Sequence, residues 1–109
     1  MLELKTQKEN KNHILWSIEE ASGVPRELWE FKRTRLKTEV MLRHIYIYML
    51  ITKLKMGLVN VATLVGLKNH STVLQSVNRV KHWTENPDDF QIELEIFDKV
   101  LKSYEQRIS

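Results

Sequence analysis

Hydrophobic residues along this chain recur at three- and four-residue intervals and almost nowhere alternate with polar ones. That is the period of an α-helix rather than of a strand. Ile14, Leu15 and Ile18 predict a first helix from about Glu9 to Ala21, with Gly23 as its C-terminal stop. The segment VPRELWEF then opens a short helix, since Pro25 is tolerated in a first turn. Leu28, Trp29 and Phe31 are its expected buried anchors. KRTRLK is polar and predicts a connecting loop. A long helix follows from about Lys37 to Lys55, ended by Gly57. Its middle, VMLRHIYIYMLI, is apolar nearly all round, as expected of a helix packed on several sides. The same residues would suit a buried strand, but the length and the helical flanks favour helix.

The next short segment, LVNVATLVG, stops at Gly66, and Asn69 stands where a helix N-cap is wanted. Beyond it, Val73, Leu74, Val77 and Val80 form an expected inward stripe, and Ser71, Gln75, Asn78 and His82 an uncharged polar outer face. Asn86-Pro87 breaks this helix, and Asp88 or Asp89 can cap a last one. The last helix repeats Phe90, Leu94, Phe97, Leu101, Tyr104 and Ile108. With three Gly, two Pro and no Asn-Gly or Asp-Gly hairpin signal, the chain reads as all-α. Its 109 residues suit one compact helical domain, with residues 1–9 an expected disordered tail.

The net charge of +3 conceals a strong segregation. Residues 31–83 hold ten Lys/Arg and a single acid, Glu39, for a net of +9, whereas residues 1–30 and 84–109 are net −2 and −4. A basic centre between acidic ends points to an anionic partner. There is no cysteine, which excludes disulfides, thiolate metal sites and cysteine nucleophiles. The four histidines (13, 44, 70, 82) lack paired spacing, so no metal or other cofactor is expected. His70-Ser71 are neighbours that point apart on a helix, without an acid to orient the imidazole, so no enzymatic activity is expected. The longest apolar run, Val40 to Ile51, is interrupted by Arg43 and His44 and falls short of the about 20 residues of a membrane span. A cytoplasmic location is the expectation.

A short helix, a glycine turn and a helix whose N-terminus shows polar side chains together predict a helix-turn-helix. Such a helix enters the DNA major groove with its first turns against base edges. Asn, Ser, Thr and His can donate and accept hydrogen bonds there without bulk. Free amides at the helix start favour phosphate, and flanking Lys and Arg add attraction independent of sequence.

The run GLKNHSTVLQSVNRV resembles the signature GGRDHTTVLHACRKI of the C-terminal DNA-binding domain (domain IV) of the bacterial replication initiator DnaA. Gly66, His70, Thr72, Val73 and Leu74 are identical; Lys68, Asn69 and Ser71 replace arginine, aspartate and threonine. KRTR at 32–35 resembles the family's basic loop, and ILWSIEEASGVPRELWEFK its first helical hairpin, so that the resemblance covers roughly residues 10–105. It implies a fold of the DnaA C-terminal, Trp-repressor-like type and a role in replication initiation or its regulation, in a bacterium or phage. It also implies site residues. An arginine of the basic loop would enter the minor groove: gap-free counting from His70 points to Arg35, local matching of KRTR to Arg33. Asn69, His70, Ser71 and Thr72 would read the major groove. Lys68 and Arg43 would hold backbone phosphate, with Arg79 and Lys81 also expected to position the backbone. The partner is then double-stranded DNA, with no membrane and no nucleotide: the initiator's G-x-x-x-x-G-K-[ST] loop is missing from this sequence. A stand-alone DnaA-like protein without ATPase activity is the expectation. Two other readings stay open, a transcriptional repressor using the same helix-turn-helix and a protein-interaction adaptor that has lost DNA binding. The heptad rhythm of the last helix adds a weak homodimer seam as an alternative to packing on its own core.

Overall fold

Nothing in the sequence ahead of Gly23 breaks a helix, and the first helix uses that freedom. The computed structural model describes residues 2–31 and 36–108, with side chains from residue 8 onward. Helix α1 runs Leu2–Ser22, starting at Leu2 rather than near Glu9. It stops where Gly23 adopts φ +74°, a left-handed conformation that costs glycine nothing. A 3-10 turn, Arg26–Leu28, follows. Arg26 pins it to α1: its Nε and Nη2 donate to Glu19 Oε1 at 2.9 and 2.7 Å, and its backbone N–H donates to Glu19 Oε2 at 3.0 Å.

This turn delivers one side chain to the core. Trp29 is fully buried, lies edge-on to Tyr46 at 5.7 Å and donates its indole N–H to the Val24 carbonyl at 3.0 Å. Leu28 and Phe31, expected beside it, are 50% and 40% exposed. The reason is length: a single 3-10 repeat cannot build the stripe that a longer helix would.

Helix α2, Lys37–Thr52, buries Leu42, Ile45, Tyr46, Ile47, Met49 and Leu50, which accounts for its nearly continuous apolar sequence. The chain then turns through Lys55, a non-glycine residue at φ +57°. Gly57 does not end α2. It opens helix α3, Leu58–Val65, its carbonyl accepting the Val61 N–H at 3.0 Å. Helix α4 spans His70–Glu85 and helix α5 spans Gln91–Ile108. Asp88 and Asp89 lie in the turn before α5, and the carbonyl of Phe90 takes the first helical bond, from the Leu94 N–H at 3.0 Å.

Among the described residues the fold is five α-helices without a strand. Helices α1 and α5 pair with each other, α3 and α4 pair with each other, and α2 lies between the pairs, touching α1, α3 and α4. The α5 stripe packs within this chain: Phe97, Val100 and Tyr104 are buried, with Phe97 edge-on to Tyr48 at 5.5 Å. No described helix is long and apolar enough to cross a membrane.

This packing separates neighbouring residues of one short segment. Trp29→Ala should destabilise the domain by about 3–5 kcal/mol. Leu28→Ala should cost less than about 1 kcal/mol, as exposed truncations do. Urea unfolding of the two variants checks this; equal losses would contradict the assignment of Trp29 as the sole anchor of the turn.

Candidate nucleic-acid interface

The junction between α3 and α4 is built by two capping devices in four residues. Gly66 takes φ +76°, and the Leu67 N–H reaches back to the Ala62 carbonyl at 2.8 Å, closing α3 with a six-residue backbone loop. No atom lies within 4 Å of where a Gly66 Cβ would sit, so the backbone angle and not space demands glycine here. Asn69 then caps α4, its side-chain oxygen accepting the Ser71 N–H at 2.8 Å. With that oxygen engaged, the Asn69 side chain presents its amide N–H groups outward.

Around this cap the chemistry is exposed. Lys68, Asn69, His70 and Ser71 are all solvent-exposed, and Thr72 is half-buried. The first turn of α4 holds no acid, and the helix carries only Glu85, at its far end. Three groups of side chains separate around the helix. His70 and Lys81 lie on the flank of the helical wheel away from Thr72 and Arg79, with Ser71, Gln75 and Asn78 in the exposed middle. Arg79 and Lys81 are about 13–16 Å further along the axis than His70 at 1.5 Å per residue, so they serve a different stretch of the surface from the first turn.

The side of α4 facing the domain fixes its position. Val73, Ser76, Val77, Val80 and Trp83 are buried. Leu74, expected in this stripe, is instead 46% exposed, and Ser76 takes the inward position. The cause is the 3.6-residue period: Val73, Val77 and Val80 define the inner face, and Leu74 is rotated about 100° from Val73. Ser76 shares a hydrogen bond of 2.8 Å with Nδ1 of His44 on α2, and the His44 ring lies edge-on to Trp83 at 6.5 Å. Burial above all, with the charges of Arg79 and Arg43 acting the same way, lowers the His44 imidazole to about 4 from its ordinary 6.5. A neutral imidazole thus ties α4 to α2.

Arg43, expected at a phosphate, is only 8% exposed, and its Nη1 donates to the Phe31 carbonyl at 3.4 Å. It sits within α2 rather than at its start, where it helps hold the end of the segment that leads into the basic stretch. Arg33 and Arg35 lie outside the described residues. On the remote side of the molecule, Trp16 of α1 is flanked by the guanidinium groups of Arg26 and Arg107 at 6.0 and 5.7 Å, each arginine also paired with a glutamate of α1. The structure therefore groups Lys68, Asn69, His70, Ser71 and Thr72 at one helix start. It places Arg79 and Lys81 further along opposite flanks and withdraws Arg43. Sequence reasoning missed His44 and Ser76 as a positioning pair. The signal was available in the spacing of the α4 valines, which leaves Ser76 as the residue between them on the inner face.

Compared with family models, with curated proteins and with solved structures, the chain matches none.

The His44 arrangement sets a pH dependence. Its folded pKa lies below the unfolded value, so the unfolded chain binds the extra proton and stability is lost as pH falls from about 6.5 towards 4. Thermal unfolding of the wild type should show a Tm that drops across this window, and His44→Gln should flatten that part of the profile. An unchanged slope in the variant would remove His44 from the account.

Proposed function

We propose that this chain is a non-catalytic, DnaA-like domain that binds double-stranded DNA in a sequence-selective way, with α3, the Gly66–Asn69 turn and α4 acting as a helix-turn-helix. The observation that carries this reading is the α4 N-terminus. Four consecutive exposed side chains, from Lys68 to Ser71, surround a capped helix start that is free of acid. Such a start offers hydrogen-bonding groups to base edges and a positive dipole end to phosphate.

In this reading His70, Ser71 and Thr72 address the major groove, and Arg33 or Arg35 from the basic loop addresses the minor groove. Lys68, Arg79 and Lys81 position the sugar–phosphate backbone. Arg43 acts indirectly, by holding the carbonyl of Phe31 ahead of the basic loop. Asn69 departs from the aspartate of the resembled signature in a way its cap geometry sharpens. An aspartate accepts from cytosine, whereas Asn69, with its oxygen engaged by Ser71, has donors left to offer. The preferred site therefore differs from the standard DnaA box at the base under Asn69, towards a base that presents acceptors. Replication initiation or its regulation is the process the resemblance supports, without ATP-driven melting. A cytoplasmic location fits that role.

Selection of bound duplexes from a random pool, followed by titration of the best one, tests the reading. Affinity should fall steeply with salt, as expected when several phosphate contacts release counterions. Thr72→Ala should cost about 1–3 kcal/mol on the selected duplex and little on random DNA. Arg79→Ala should weaken binding to every sequence alike. No measurable binding to any duplex at low salt would refute the proposal, and equal loss on all sequences for Thr72→Ala would reassign Thr72 to phosphate or to the cap.

A further inference from the structure

The exposed face of α4 does not end with its first turn, and its next two turns carry a chemically distinct set of side chains. Leu74 is the only apolar side chain of α4 left out of the core: Val73, Val77, Val80 and Trp83 are at most 5% exposed, against 46% for Leu74. It projects one turn above His70 and Ser71, on the face that also carries Gln75 and Asn78. Among the described residues, neither the Gln75 nor the Asn78 amide has a hydrogen-bond partner. Both line a shallow hollow together with Arg79 and His82. The usable face ends there, because the His82 ring packs on Phe90 and its Nδ1 and carbonyl are engaged by the Asn86 side chain.

We propose that base reading continues along this face, with Leu74 packing on the 5-methyl group of a thymine and Gln75 and Asn78 pairing with adenine edges. The preferred duplex then carries A·T pairs beneath the middle of α4. This rests on the DNA-binding reading above and extends it. The chemistry is direct. In the major groove the thymine methyl is the apolar feature, and asparagine or glutamine pairs with adenine through its N6 and N7. The length also fits. Ser71 to Asn78 covers about 10 Å along the helix at 1.5 Å per residue, close to the rise of about three base pairs. An exposed leucine in isolation is ordinary. One set between a base-reading turn and two unengaged amides, on a face with no acid before Glu85 at the far end of the helix, has a defined contact to make.

The experiment is a deoxyuridine scan. The best duplex selected by the wild-type protein is remade with each thymine in turn replaced by uracil, which removes only the methyl group. At one thymine the wild type should lose about 4-fold in affinity, the worth of one buried methyl. Leu74→Ala, with an unchanged Tm, should show no loss at that position. Gln75→Ala and Asn78→Ala should each relax the preference for one adenine by about 10-fold. A selected duplex that binds tightly but gives a flat uracil scan overturns this inference and leaves DNA binding standing. So does a Leu74→Ala variant as sensitive to uracil as the wild type. A wild type that selects no duplex overturns both.

Discussion

Helix α2 has almost no face to give to solvent, and that constraint organises the rest of the molecule. Residues Leu42 to Leu50 bury side chains on successive turns, so other helices must cover this one on several sides. Helix α4 is one of those covers. Its valine stripe and Trp83 meet the core, and within that apolar contact His44 and Ser76 form a polar link. A hydrogen bond at such a place has directional requirements that valine packing lacks, so together with the valine stripe it fixes how α4 is rotated about its own axis. That rotation decides which α4 residues point outward. The exposed set, from Ser71 through Leu74 and Gln75 to Asn78, is the consequence of the buried one.

The same architecture sorts the charge. Acidic residues gather at the ends of the chain, in the segments that form α1 and α5, and these two helices pack on each other. The basic centre forms α2, α3 and α4, so the pair α3 and α4 carries a single acid, Glu85, at the end of α4 away from its capped start. A net charge of +3 is thus the sum of two regions with opposite preferences, and it understates the field at the α4 start. On the α1 and α5 side, Arg26 and Arg107 are engaged by Glu19 and Glu20, which leaves their charge largely neutralised locally.

Elements bounded by strong local chemistry were legible in the sequence. Gly66 and Asn69 end one helix and begin the next through their own backbone and side-chain preferences, and Asn86-Pro87 stops α4 for the same kind of reason. What local pattern could not decide was orientation in short or tightly packed segments. Leu28 and Leu74 are apolar, yet each is left outside because a neighbour one position away, Trp29 or Val73, takes the inward place, and Phe31 is left outside two positions beyond Trp29. Arg43 shows the converse: a charge expected at the surface is buried because α2 begins six residues before it. At the candidate interface, the grouping of Asn69 to Thr72 followed from the cap and helix spacing, since it lies within one turn, and Lys68 joined it through the resemblance. The His44 and Ser76 pair, 32 positions apart, depends on how two helices meet; the valine spacing marks the inward place of Ser76 but not its partner.

The central claim is that the exposed α4 face, beginning at its capped N-terminus, is where duplex DNA docks. Backbone amide chemical shifts, followed by NMR while a selected duplex is added, address this residue by residue. The account predicts the largest shifts at Lys68 to Asn78, with the exposed surfaces of α1 and α5 left unchanged. Shifts concentrated on α1 and α5, with the α4 N-terminus undisturbed, would contradict it.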